Sequence, residues 1–157
     1  MHLRPWNIDT DYDTLVKWWD QYDFGRVPKE ALPRTGMLVE DENKNRICAG
    51  GLYMNIDEYK FAFMEWVIVD PKAKPKLAHK SIKLLIDNLI KLAKDKGCVL
   101  IYTATENPGL HKRYVKYHGF SQGENKSRTF VKDLTNGEFG PMLWAKSQEV
   151  LDEEQDS

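Results

Sequence analysis

A chain of 157 residues is long enough for one domain that buries a core without disulfides or a structural metal. Hydrophobic residues at 41%, charged residues at 30% and a formal net charge of -1 give no global attraction to nucleic acid or an anionic membrane. No apolar run approaches the roughly 20 residues of a membrane helix, and residues 1–13 lack the basic start and apolar stretch of a secretory leader, so a cytoplasmic protein is expected.

Residues 3–6 read as a short first strand. Asp9 or Thr10 is a candidate cap for a helix starting near Asp11, whose apolar face is Leu15, Trp18, Trp19 and Tyr22. Five Asp and one Lys fall between residues 9 and 23; a solvated helix face is preferred over a lure for a cationic amine. Pro28 and Pro33 mark a loop or short second helix. Residues 36–40 and 46–54 form a hairpin turning at 41–45, with Gly50 and Gly51 marking a bulge or a close approach. Residues 59–69, the most continuous apolar run, read as a central strand covered on both faces and ended by Asp70-Pro71.

Residues 72–80 read as a Lys-rich loop before a helix with Ile82, Leu85, Ile86, Leu89, Ile90 and Ala93 on one face and an Asp87–Lys91 pair on the other. Residues 98–105 read as another buried strand. Asn107 and Pro108 open a further helix, with Leu110, Tyr114 and Tyr117 on one face and Gly119 at its end. Residues 120–134 read as a final hairpin, and the polar tail beyond it as loose. Cys48 and Cys98 are expected as buried free thiols. His111 and His118 are expected on the surface, and no zinc spacing is present. The order predicts an α/β domain: one mixed central sheet, with a parallel pair about the middle helix and helices on both faces.

The opening Leu3-Arg4-Pro5, the strand Glu65 to Pro71, and the run Asn107 to Tyr114 continuing to Gly119-Phe120 together resemble the GNAT acetyltransferases over residues 2–134. The resemblance implies a GNAT-like domain over 1–135 with an extension at 136–157. It also implies a strand whose Val67, Ile68 and Val69 meet the cofactor acetyl-CoA, and a loop that takes its pyrophosphate at a helix N-terminus. In that loop Lys74 stands where the family has Arg, Ala78 holds a small position, Pro75 removes an N–H, and Leu77 and His79 carry bulk where the family prefers glycine. Lys74, Lys76, Ala78, His79 and Lys80 are the candidate phosphate-binding residues, in a stretch (72–96) with eight lysines and two acids. Asn107 is a candidate for the pantetheine arm, or simply a helix cap.

Glu65 is the only charged residue between Lys60 and Asp70. A carboxyl set in apolar surroundings has a raised pKa and suits general-base work on an amine; a paired structural Glu is the plain alternative. Tyr114 matches the family's proton donor when counted from Asn107; Val115 takes that place when counted back from Gly119, and Tyr117 is a further candidate. Trp18, Trp19 and Trp66 read as core. The functional expectation is acetyl transfer from acetyl-CoA to a primary amine on a small molecule or protein, by a monomer or homodimer. The alternative is a non-catalytic domain of the same fold that binds a protein partner.

Overall fold

The computed structural model describes residues 1–123, 132, 134, 137 and 138. The hairpin expected over 120–134 and the extension over 136–157 fall almost wholly outside the described residues.

Strands β1 (His2–Pro5), β2 (Thr35–Glu40), β3 (Arg46–Met54), β4 (Lys60–Val69) and β5 (Cys98–Tyr102) form one sheet in chain order. Pairings up to β3–β4 are antiparallel, while β4 and β5 run parallel. A parallel pair needs a crossover, supplied by α2 (Pro75–Asp95). Helices α1 (Ile8–Gln21) and α3 (Pro108–His118) follow β1 and β5, and a 3-10 turn at Lys29–Ala31 fills the segment between Pro28 and Pro33. One face of the sheet packs Leu38, Ala49 and Ile68 against Leu15, Trp18 and Trp19 of α1. The other packs Leu52, Met64, Leu85, Ile86, Leu89 and Tyr114, joining α2 and α3. The expected mixed sheet with helices on both faces is therefore present.

Local chemistry explains where the elements begin and end. Asn7, not Asp9 or Thr10, caps α1: its side chain accepts from the Asp9 N–H at 3.0 Å, and the helix begins at Ile8. Helix α2 starts at Pro75, inside the stretch expected to be loop, because proline at the first helical position is pre-set for the helix and needs no N–H there. Asn107 caps α3 through Gly109 and Leu110, and Gly119 ends it at φ 70. Gly36 and Gly51 face each other across β2 and β3 beneath the Trp6 ring. A Cβ on Gly36 would lie 2.2 Å from Trp6 Cε2, and one on Gly51 2.6 Å from Trp6 Cη2.

Other expectations are corrected. Strand β5 is not buried: Val99, Leu100 and Tyr102 are each about half exposed, as is Phe63 of β4. Apolar side chains on both sides of a strand that is last in the sheet among the described residues read, in sequence, like a covered one. Asp87 pairs with Lys83 at 2.6 Å and His118 at 2.8 Å, so His118 is a buried clip between α2 and α3. Tyr117 faces outward. Cys48 is buried and Cys98 partly so, both as free thiols.

A buried charge ties the first face together. Asp11 is fully buried; Arg4 donates to both of its oxygens at 2.9 Å, Arg46 donates at 2.8 Å and the Asn7 N–H at 2.8 Å. Burial pushes its carboxyl up, but the bonds from Arg4, Asn7 and Arg46 outweigh that and hold it at about 2. Asp9 pairs with Lys29 and Asp20 with Arg26, so these acids of α1 serve the fold. Because the folded-state pKa of Asp11 is depressed, its contribution is full above about 3.8 and fades as pH falls toward 2. Asp11→Ala takes the shared carboxylate from Arg46 and from Arg4, which keeps Glu40, and is expected to cost about 3 kcal/mol at pH 7. Urea unfolding checks this, and a loss under about 1 kcal/mol would contradict it.

Candidate active site

The site begins with a fault in β4. Glu65 pairs with Gly51 and Ile68 with Ala49, so Trp66 and Val67 together oppose Gly50. Such a bulge bends the strand and takes one residue out of the ladder. Trp66 sits at φ 60, a backbone conformation that costs a bulky residue on the order of 1–3 kcal/mol. Its indole holds it there: Nε1 donates to the Tyr53 hydroxyl at 2.8 Å, which donates to the Ala31 carbonyl at 2.6 Å. The ring also meets Trp19 edge-on at 6.3 Å.

On its other edge, β4 pairs with β5 only from Lys60–Cys98 to Phe63–Tyr102. Beyond that β4 runs on to Val69 while the chain after Tyr102 turns toward α3. The gap between them opens into a cleft of about 560 Å³. Glu65, Val67 and Ile68 line it from β4, Asn107 and Tyr114 from the opposite wall, and Trp19, Phe24 and Trp66 from the α1 side.

The predicted catalytic pair thus shares one cavity. Burial alone pushes the Glu65 carboxyl up to about 7. Tyr114 is 6% exposed; burial raises its phenol, Thr103 works against that rise, and the Glu65 charge adds to it. Val115 and Tyr117 are outside the cleft and about half exposed, so of the tyrosine candidates Tyr114 is the one that reaches it. The Asn107 side-chain oxygen is used in capping even though the residue lines the cavity.

The phosphate candidates lie apart from it. Lys74, Lys76, Ala78, His79 and Lys80 are not part of the cleft wall, and of the three strand candidates Val69 is not either. Lys74, Lys76, His79 and Lys80 are exposed around the start of α2, where helical hydrogen bonding begins with the Ala78 N–H on the Lys74 carbonyl at 2.9 Å. The Lys76 and Leu77 amides precede it, in the turn where a helix leaves N–H groups free for an anion. Pro75 removes only the amide at the first position. His79 is drawn to α3, its Nδ1 2.6 Å from Arg113 and its ring edge-on to Tyr117. Neither His79 nor Leu77 lines the cleft. Exposed lysines and first-turn amides are together a donor set of the kind that suits a phosphate.

Sequence reasoning missed Trp66, Trp19 and Phe24 as cleft residues. The neighbour of a lone buried charge was a usable signal for Trp66; nothing local marks the other two. A second hollow of about 330 Å³ contains the Lys29–Asp9 pair and no predicted site residue. Among the described residues no cluster of three His, Cys, Asp or Glu side chains could hold a metal ion, and no helix is long and apolar enough to cross a membrane.

Compared with known proteins, the chain matches the model for the acetyltransferase (GNAT) family over residues 3–120. The chain belongs to the GNAT acetyltransferase family. Solved structures share its fold. An acetyltransferase of Trypanosoma brucei is 14% identical, with TM-score 0.61, covering 83% of this chain and 99% of that one. The glucosamine-6-phosphate N-acetyltransferase of Arabidopsis thaliana is 18% identical, with TM-score 0.60, covering 85% and 97%. Rv2747 of Mycobacterium tuberculosis, solved with CoA and NLQ, is 18% identical, with TM-score 0.62, covering 82% and 76%. No curated protein matches the chain by sequence.

Glu65 should titrate near pH 7 when followed by carboxyl ¹³C NMR; a midpoint below about 5 would contradict its burial. Because its folded-state pKa is raised, the folded chain keeps a proton that the unfolded chain releases from about pH 4.5, and stability falls as pH rises from 4.5 to 7. Glu65→Gln is accordingly expected to be more stable than the parent at pH 8, with the advantage gone at pH 4.

Proposed function

We propose that the protein is an N-acetyltransferase that moves an acetyl group from acetyl-CoA to a primary amine. The observation that carries this reading is that a carboxyl with a pKa near 7 and a buried tyrosine share the cleft opened by the strand gap. Family membership supports acetyl transfer in general. Lys74, Lys76 and Lys80, with the first-turn amides of α2, would hold the pyrophosphate. The open edge of β4 at Val67, Ile68 and Val69 would hold the pantetheine, with Asn107 facing it across the cleft. When bound there, acetyl-CoA supplies the activated thioester.

The chain's residues then have distinct tasks. The bulge frees an N–H in β4 that can donate to the thioester carbonyl oxygen as negative charge develops on it. Glu65 takes a proton from the attacking nitrogen as the N–C bond forms and the C–S bond breaks. Tyr114, kept protonated by its burial, gives its phenolic proton to the departing sulfur. Holding both reactants in one slot removes much of the entropic barrier.

Calorimetry with acetyl-CoA tests the reading first: saturable binding is expected, while no heat and no thermal stabilisation at millimolar ligand would overturn it and favour the non-catalytic alternative. Glu65→Gln is expected to lower kcat/KM by about 10²–10⁴-fold and to abolish the limb of the pH profile near 7. Tyr114→Phe should lower kcat with little change in acetyl-CoA affinity. An unaltered pH profile in Glu65→Gln would remove Glu65 from the mechanism.

A further inference from the structure

We infer that the acceptor is a small primary amine on an aromatic or otherwise apolar body, with no anionic group. The inference rests on the acetyltransferase reading, which assigns one end of the cleft. Acetyl-CoA enters from the side of α2 and α3, where the lysines and first-turn amides lie, and reaches Tyr114. The opposite end, toward α1, is left for the acceptor.

That end is built of rings. Trp19 and Trp66 meet edge-on at 6.3 Å and both line the cavity with Phe24. Phe24 is 54% exposed and stacks on Tyr22 at 5.3 Å, so a ring with free surface stands where the cavity meets solvent. Aromatic walls favour an aromatic guest through offset or edge-to-face contacts and through the area it removes from water. They are side chains, not an open strand edge, and give a peptide backbone nothing to pair with, which favours a small amine over a lysine within a protein.

Charge points the same way. Among the residues lining the cleft are two carboxylates, Glu65 and Glu106, and no lysine, arginine or histidine. A protonated amine approaches that pair favourably and loses its proton where it meets Glu65. A phosphate or carboxylate on the acceptor would enter a cleft whose lining, among the described residues, offers it no cation, and would be desolvated unpaired.

The test compares acceptors with acetyl-CoA at saturation, following release of the CoA thiol: 2-phenylethylamine, ethanolamine, glucosamine 6-phosphate and a lysine-containing peptide. 2-Phenylethylamine is expected to show a kcat/KM at least about 10-fold above each of the others. Phe24→Ala is expected to raise its KM about 10-fold with little change in kcat, the pattern of lost binding that is equal in ground and transition states. Acetyl-CoA affinity should be unchanged in that variant. Equal use of the amines, preference for the sugar phosphate or the peptide, no turnover of any of them, or no effect of Phe24→Ala would overturn the inference; acetyl-CoA binding, measured separately, would leave the enzyme reading standing. Absence of acetyl-CoA binding would overturn both.

Discussion

Trp66 and Val67 stand together opposite Gly50, and β4 turns at that point, so the strand cannot stay in line with both of its neighbours. Its pairing with β3 resumes beyond the bulge, whereas its pairing with β5 ends at Phe63. The cleft follows from that asymmetry. The conformation is unfavourable for tryptophan and persists because the indole is fixed by Tyr53 and Trp19. The same residue that bends the strand therefore also walls the cleft.

Two electrostatic arrangements divide the work on either side of this gap. Toward α1, Asp11 is ionised and satisfied by Arg4, Arg46 and the Asn7 amide; it fixes the helix that carries Trp19 to β1 and β3. In the cleft, Glu65 is half-buried, loss of solvent alone shifts it, and it is held near 7. Comparable chemistry gives opposite outcomes because Asp11 has donors and Glu65 has apolar walls. One carboxylate is spent on the fold; the other keeps a proton within reach of neutral pH.

Much of the fold was legible in the sequence because its signals are local. The turn between β2 and β3, the Asn107 cap and the Gly119 stop all lie within a few residues of what they specify. Glu65 stood out as the lone charge in an apolar run. The remainder depends on partners distant in the chain. Trp66 reaches Tyr53 and Trp19, and His118 reaches Asp87. The exposure of Val99 and Leu100 depends on what stands beside β5, which alternation alone cannot report. The start of α2 is hard to read because its first turn is rich in lysines that resemble a loop, and Pro75 is the better boundary mark. Pro75 also alters the argument about phosphate, since at the first helical position it leaves the Lys76 and Leu77 amides available.

The parting of β4 from β5 is, on the function we propose, a slot for a thioester. A crystal structure of the protein with acetyl-CoA tests it directly. The account predicts the pyrophosphate against the first turn of α2, the pantetheine along Val67 to Val69 and the sulfur within hydrogen-bonding reach of the Tyr114 hydroxyl. Acetyl-CoA bound elsewhere on the surface, with the gap between Glu65 and Tyr114 left vacant, would contradict it.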